Sequence, residues 1–258
     1  LARQLAEEGR FADVLLGNNV LAHVPDILDF VGGMQIVLKP EGIITMEFPH
    51  LLQLIQNNQF DTIYHEHFSY LSFTTVQKIF ESKGLKKIDV EELPTHGGSL
   101  RIFASHNNSA HPVHRNVQSM LQKEKDAGVL SISYYEGFQK KAFRIKCDFL
   151  DFLLTQKRAG KKVVGYGAAA KGNTLLNYCG VKNDLIDFVV DANPNKQGKF
   201  LPASHIPVVR EESIRIEKPD FVILFPWNLK SELTTQLSYI REWGGQFVVP
   251  IPEVSIIK

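Results

Sequence analysis

The chain is poor in cysteine, in net charge and in long apolar runs. Its 258 residues include only two cysteines, Cys147 and Cys179, which are far apart and show no C-x-x-C spacing. This usage predicts reduced thiols in a cytoplasmic protein and argues against a structural zinc within the chain. The net charge is +1, so nothing predicts a nucleic-acid or anionic-membrane partner. No apolar run is long enough to span a bilayer, and no signal peptide is visible.

The composition is that of a folded protein. Hydrophobic residues make up 44% and charged residues 22% of the sequence, which is typical of globular domains. The length fits one large domain or two ordinary ones. The chain starts at Leu1, within a pattern typical of the end of a helix, so we expect the protein to begin upstream of this residue.

The order of predicted elements divides the chain into three segments. Residues 1–110 read strand, helix, strand, helix and hairpin, which predicts half of an α/β sheet with an antiparallel edge. Residues 111–160 predict a helical linker that breaks near Gly128, and residues 161–258 predict a parallel α/β domain. The predicted strands are 13–17 (a buried strand of a parallel sheet), 43–48, 85–93, 99–105, 162–166, 185–190, 221–225 and 246–249.

Residues 61–72, DTIYHEHFSYLS, hold the densest set of groups that move protons. His65 and His67 flank Glu66, and Tyr64 precedes them. The stretch is predicted to be a loop at a sheet edge, where catalytic residues concentrate. If it is extended, Tyr64 and Glu66 face one side and the histidines the other. A base beside an acid and a phenol suits proton abstraction next to a carbonyl. A solvated surface loop and a metal site are the alternatives, although a His-x-His pair places no further ligand.

Residues 165–170, GYGAAA, match the pattern G-x-G-x-x-A between a predicted strand and a helix. Small residues there let the backbone approach a diphosphate, which the helix N-terminus attracts. Asp191, after the next strand, stands where a ribose-binding acid is expected, and Lys171 adds a cation. The pattern alone suggests NAD, with ligand-free strand–helix packing as an equal alternative.

Two further groups lie near predicted strand ends. His23 follows Asn18 and Asn19 beyond the first strand, where open α/β sheets bind ligands, although a lone histidine is more often structural.

A glycine turn precedes Arg101. Gly97 and Gly98 offer backbone amides, and Arg101 a guanidinium, to an anion. An ordinary turn is the alternative.

Five segments taken together resemble the nucleotide-sugar C-methyltransferases of deoxysugar biosynthesis, which depend on S-adenosylmethionine (SAM). They are LLGNNVLAHVPD (15–26), YHEHFSYLS (64–72), HGGSLR (96–101), GYGAAAKGNTLLNY (165–178) and HIPV (205–208). The resemblance covers nearly the whole chain, and the ordered set is far more specific than any one motif. Ala169 departs from the family pattern, which has proline there.

The resemblance implies an architecture. Residues 1–110 correspond to the C-terminal half of a class I methyltransferase sheet, which is Rossmann-like, and residues 161–258 to a second Rossmann-like domain. A zinc-binding domain and the glycine loop for SAM would precede this chain. We therefore expect SAM as cofactor and no metal within the chain, and such a fragment can be inactive by itself.

The resemblance also implies a reaction. The substrate would be a dTDP-linked 4-keto-6-deoxy sugar, and a base would form an enolate that attacks the methyl group of SAM. The implied catalytic residues are His67 as base, Glu66 orienting it, Tyr64 donating to the oxyanion, and His23 on the enolate or the sugar. Asn18 and Asn19 would lie beside the methionine part of SAM. The candidates for the diphosphate are Gly97, Gly98, Arg101, Gly165, Gly167 and Lys171. An NAD-dependent oxidoreductase, ranked well below, and a non-catalytic nucleotide-sugar-binding module are the alternatives.

Overall fold

The computed structural model describes residues 1–257, which form two compact α/β units. The first unit comprises Leu1–Gln56 and His65–Gly137, and the second comprises Asn57–Tyr64 and the residues from Phe138 onward. The helices are α1 (Ala2–Glu7), α2 (Ile27–Val37), α3 (Leu51–Gln56), α4 (Phe73–Glu81), α5 (Arg115–Ala127), α6 (Phe138–Arg158), α7 (Ala170–Cys179), α8 (Glu212–Glu217) and α9 (Lys230–Gln236). The strands are β1 (Ala12–Asn18), β2 (Leu38–Pro49), β3 (Leu85–Leu93), β4 (Ser99–His106), β5 (Val163–Tyr166), β6 (Val189–Val190), β7 (Val208–Val209), β8 (Phe221–Leu224), β9 (Gln246–Val249) and β10 (Ser255–Ile257).

The first unit is built on a sheet of order β1-β2-β4-β3. β1 runs parallel to β2, whereas β2–β4 and β3–β4 are antiparallel, so the predicted hairpin is confirmed. β1 is a strand of a parallel pair, as predicted, but the prediction that it is buried is wrong for residues 1–257. Val14 and Leu16, which alternation places on one face, are 59% and 69% exposed.

Local signals set the ends of the helices in this unit. The Asp26 side chain accepts a hydrogen bond of 2.9 Å from the Asp29 amide and caps α2. Ser72 caps α4 in the same way, through the Thr75 amide at 3.1 Å. Gly128, with φ of 88°, ends α5 in the left-handed conformation that favours glycine. The predicted break near Gly128 is therefore confirmed.

The second unit has a six-stranded sheet of order β10-β9-β8-β5-β6-β7. Its strands are parallel except β10, which pairs antiparallel with β9. The chain runs outward from β5 to β6 and β7, and then returns to β8 on the other side of β5. The topological switch point, where open α/β sheets bind ligands, therefore lies at the C-terminal ends of β5 and β8.

Some element boundaries in the second unit differ from the predictions. The strand predicted over residues 185–190 is only Val189–Val190, because the amides of Leu185 and Ile186 turn back to the Lys182 carbonyl. The helix predicted over 229–243 divides into α9 and a 3-10 helix, Ser238–Trp243. β7, α8 and β10 were not predicted. The helical linker predicted over 111–160 contributes α5 to the first unit and α6 to the second, and the predicted domain boundaries stay a prediction.

Within residues 1–257, no helix combines the length and the apolar character needed to cross a membrane.

Candidate active site

Two imidazoles meet in the first unit. The ring centroids of His23 and His67 are 4.7 Å apart, with the ring planes at 55°. His23 ends a 3-10 turn, Leu21–His23, that follows β1, and His67 lies in the loop before α4. Both side chains are partly exposed. Residues that lie 44 positions apart in sequence thus form one cluster at the C-terminal end of β1.

The tautomer of neutral His23 follows from its hydrogen bond. Its Nδ1 lies 2.9 Å from the carbonyl oxygen of Glu66. Because a carbonyl only accepts, Nδ1 must carry the hydrogen, and the neutral ring then has a lone pair on Nε2. That Nε2 atom is buried, and no atom of residues 1–257 bonds to it. Neutral His23 can therefore accept a proton or a hydrogen bond through Nε2, but it cannot donate from that atom.

The backbone fixes the loop that carries His67 against the turn that carries His23. The amides of Phe68 and Ser69 both donate to the carbonyl of Ala22, at 2.9 and 3.2 Å. The Tyr70 ring contacts His67 edge-on, with centroids 5.9 Å apart. The backbone of the His67 loop is therefore fixed to the turn that carries His23, and the ring of His23 is held further by its bond to the Glu66 carbonyl.

The rest of the YHEH stretch is not an extended strand. Residues 64–66 form a bend and a turn, so the predicted division of side chains between two faces is wrong. The turn brings the carbonyl of Glu66 to His23, while its side chain and that of His65 are exposed. Tyr64 is partly buried and belongs to the second unit.

Asn18 and Asn19 lie at the end of β1, as predicted. Asn18 is exposed and pairs with Glu47 in the register of β1 and β2. Asn19 has a positive φ of 54°, and its amide donates to the Glu47 carbonyl at 2.8 Å. Its Oδ1 is buried and accepts no hydrogen bond within residues 1–257. A buried carbonyl oxygen without a donor costs free energy, which a bound donor would recover.

A buried network behind the loop was not predicted from the sequence. Glu124 of α5 is fully buried and accepts from the amides of Phe73 and Thr74, at 2.6 and 2.8 Å, where α4 begins. The Nε2 atom of His50 lies 2.7 Å from the same carboxylate. Burial opposes ionisation of Glu124, but the hydrogen bonds from His50 and Thr74 outweigh it and lower the pKa. A carboxylate on one helix thus caps another helix, and only the tertiary fold brings the two together.

Arg101 is already paired. Its guanidinium donates to Glu47 at 2.9 Å and lies 3.8 Å from Glu91. Burial opposes ionisation of Glu47, but hydrogen bonds from Thr95 and Arg101 outweigh it and lower its pKa. Binding of an anion by Arg101 would therefore compete with two carboxylates.

The glycine turn before Arg101 also has a packing role. A Cβ on Gly98, where φ is 122°, would lie 2.6 Å from the Gln53 side chain. Gly97 precedes it with φ of 89°. The positive φ values and this close approach explain the glycines without a ligand.

In the second unit, the glycines of residues 165–170 are explained by packing. A Cβ on Gly165 would lie 2.5 Å from the Phe225 ring, and one on Gly167 would lie 2.5 Å from Pro226. The amide of Ala168, which would otherwise face a diphosphate, donates to Asp191 at 2.8 Å. These contacts favour ligand-free packing over the NAD alternative.

Lys171 is likewise engaged. Its Nζ donates to Asn228 at 2.9 Å and lies 4.4 Å from the centroid of the Trp227 ring. Burial lowers the pKa of Lys171. Residues 1–257 contain no group of three or more His, Cys, Asp or Glu side chains placed to hold a metal ion.

Comparison with known families identifies the chain. Residues 94–252 match the model of the C-methyltransferase C-terminal domain, which covers more than half of the chain, and residues 2–90 match a methyltransferase domain. The chain belongs to the C-methyltransferase family. The first two segments of the resemblance lie within residues 2–90, and the other three lie within residues 94–252.

The chain is also similar to a curated protein. It is 37% identical, over all of its 258 residues, to the C-methyltransferase NovU of Streptomyces niveus. The chain spans 61% of the length of that relative.

Solved structures are more distant. The 16S rRNA (adenine(1408)-N(1))-methyltransferase of Catenulisporales acidiphilia, with cosubstrate SAM, matches 37% of this chain and 49% of its own at 15% identity, with a TM-score of 0.26. The M1.HpyAVI–SAM complex matches 42% of this chain and 50% of its own at 8% identity, with a TM-score of 0.29. At such TM-scores neither structure supports a conclusion about this chain.

Proposed function

We propose that the protein containing this chain methylates a carbon next to the ketone of a nucleotide-linked keto-deoxysugar, through an enolate. The observation that carries the proposal is the pair of imidazoles, His23 and His67, at the C-terminal end of β1. Membership of the C-methyltransferase family supports the same reaction. A hydrogen on a carbon next to a ketone is weakly acidic, so its removal requires a positioned base and stabilisation of the enolate oxygen.

His67 is the proposed base. It lies in a loop whose next two residues donate backbone hydrogen bonds to the carbonyl of Ala22, which would limit the movement of the base. His23 is then a second imidazole whose Nε2 accepts. Neutral His23 cannot donate to an enolate oxygen through that atom, so its proposed role narrows to accepting from a sugar hydroxyl or from protonated His67.

Tyr64 is the proposed donor to the enolate oxygen. A phenol can donate one strong hydrogen bond to developing negative charge, which lowers the barrier where that charge appears. Glu66 contributes through its carbonyl, which fixes the tautomer of His23. The role given to its carboxylate, to orient His67, stays a prediction, and that side chain is exposed.

The end of β1 fits the methionine part of SAM. The buried Oδ1 of Asn19 lacks a donor within residues 1–257, and the ammonium group of a bound amino acid would supply one. Asn18, exposed beside it, is the second proposed contact. Bound SAM would supply an electrophilic methyl group, which would pass from its sulfonium sulfur to the enolate carbon and leave S-adenosylhomocysteine. Gly97, Gly98, Arg101, Gly165, Gly167 and Lys171 stay candidates for the diphosphate, and the contacts described above favour none of them.

The test separates proton removal from methyl transfer. The full-length protein is incubated with a dTDP-linked 4-keto-6-deoxy sugar in deuterated water, and exchange of the hydrogen next to the ketone is followed by NMR. Methyl transfer from labelled SAM is measured in parallel. His67→Asn should lower both rates by about 10²–10⁴-fold, the usual contribution of a general base.

The matched control is His65→Asn, two residues away and exposed, which should keep both rates. If His67→Asn exchanged the hydrogen next to the ketone at the full rate, His67 would not be the base. Normal exchange without methyl transfer in the unmodified protein would contradict SAM-dependent methylation of this substrate.

A further inference from the structure

The segment before Tyr64 is anchored inside the second unit. Phe60 is buried in the core of that unit, and its ring centroid lies 5.0 Å from that of Tyr178 on α7. The segment forms a 3-10 turn, Phe60–Thr62, that packs on α7. Residues 57–64 thus belong by their contacts to a domain that begins some seventy residues later in the sequence.

Asp61 makes the most specific contact of this segment. It is 1% exposed, and its Oδ2 accepts from the indole Nε1 of Trp227 at 2.6 Å. Its Oδ1 is buried and unpartnered within residues 1–257. Burial raises the pKa of Asp61 to about 6, although the Trp227 hydrogen bond and the charge of Lys171 favour the ionised form. A buried carboxylate of this kind costs stability, so packing alone does not explain it.

Trp227 sits at the topological switch point of the second sheet. It follows Pro226, whose ring would lie 2.5 Å from a Cβ on Gly167, the residue that follows β5. The same tryptophan ring lies 4.4 Å from Nζ of Lys171, at the start of α7. Through its bond to Trp227, the Asp61 side chain therefore lies near the topological switch point, where open α/β sheets bind ligands.

We propose that Asp61, held by Trp227, is a positioning residue that sets the place of Tyr64 in the reaction, and this rests on the proposed function. The turn between them is tight: Ile63 donates to the Phe60 carbonyl at 3.0 Å, and Thr62 Oγ1 to the Gln59 carbonyl at 2.8 Å. Tyr64 directly follows this turn, so a shift of Asp61 that loosens the turn would displace Tyr64. The proposed phenol donor acts on charge that is absent from the bound ketone and develops on the way to the enolate, so its displacement lowers kcat more than it raises KM.

The experiment is a double-mutant cycle in the full-length protein, with Asp61→Ala, Tyr64→Phe and the two combined. If Asp61 acts through Tyr64, Asp61→Ala lowers kcat about 10- to 100-fold with little change in KM, and adds no further loss to Tyr64→Phe. Asp61→Asn keeps an oxygen that accepts from Trp227, so it should recover most of the rate. Trp227→Phe removes the donor and should reproduce Asp61→Ala. The control is Asp184→Asn, an exposed carboxylate of the same unit, and folding of each variant is checked by circular dichroism.

Each failure has its own signature. Full kcat in folded Asp61→Ala, or an equal loss in the Tyr64→Phe background, overturns the positioning role and leaves the proposed reaction intact. Should Asp61→Ala fail to fold, Trp227→Phe takes its place in the cycle, and Asp61→Asn remains the variant expected to keep the rate. A Tyr64→Phe variant with full activity would refute the proposed role of the phenol, and the role of Asp61 with it.

Discussion

Lys87 is a buried lysine, and its protonation affects the stability of the first unit. It lies on β3, is 4% exposed, and its Nζ is 3.3 Å from the carbonyl oxygen of Val76 on α4. The centroids of the Phe73 and Phe80 rings lie 5.9 and 5.3 Å from the same atom. Burial lowers the pKa of Lys87 from 10.5 to about 7. We predict that Lys87→Met stabilises the first unit at neutral pH.

The sign and size follow from proton linkage. Between the folded pKa near 7 and the unfolded value of 10.5, the unfolded chain binds more protons, so the free energy of unfolding rises with pH. At 1.36 kcal/mol per pKa unit, this residue costs the fold about 4 kcal/mol near pH 7 and almost nothing above pH 10.5. Methionine of similar length removes the charge but loses the polar contact. We therefore expect a gain of about 3 kcal/mol at pH 7 that vanishes as the pH rises.

The assay is urea unfolding between pH 6.5 and 9.5, followed by circular dichroism. Trp227 and Trp243, the two tryptophans, both lie in the second unit, so indole fluorescence reports that unit separately and should not change. Lys78→Met, on exposed α4 surface, is the matched control. Taking the difference between variant and wild type cancels the other titrating groups. A difference that stays constant across this pH range, or a less stable Lys87→Met at pH 7, would refute the reasoning.

Two further substitutions test contacts described above, one in each unit. Glu124→Ala should destabilise the first unit by about 3–5 kcal/mol, because it breaks a buried pair with His50 and uncaps α4; this is checked by urea unfolding, and a loss below about 1 kcal/mol would contradict it. The lowered pKa of Glu124 adds stability above its unfolded-state pKa, so this loss should shrink as the pH falls through the folded value. Gly167→Ala should destabilise the second unit by about 1–3 kcal/mol, since φ is 92° and its Cβ would meet Pro226 at 2.5 Å. The shift should be seen in tryptophan fluorescence, and an unchanged midpoint would show that Pro226 moves aside.

Sequence patterns predicted much of the fold because many of its elements are set by local signals. Alternation and a short turn define the hairpin of β3 and β4, and Gly128 marks the end of α5 through its own backbone. The predictions from pattern failed where the structure depends on strand pairing and packing between distant residues. The apolar run of β1 predicts burial, but within residues 1–257 the face of β1 that carries Val14 and Leu16 is exposed. β7, only two residues long, has too short a pattern to be recognised.

The candidate site, too, could be predicted only in part from the sequence. The sequence indicated His23, Tyr64 and His67 as candidate site residues, through residue type and through the family resemblance. It could not give the tautomer of His23, which depends on a carbonyl 43 residues away. It also gave no sign of the Glu124 cap, because a glutamate in a helix has the same pattern whether it is solvated or buried.

The sequence by itself determined which chemistry is available: imidazoles, a phenol and small residues in a fixed order, together with the family to which they belong. Only the tertiary structure decided how those groups are used. It set His23 and His67 4.7 Å apart, paired Arg101 with Glu47 and placed Asp61 near the switch point. The reason is physical. Residue identity and local pattern fix charge, size and backbone preference, whereas burial, pKa and hydrogen-bond partner depend on neighbours that are distant along the chain.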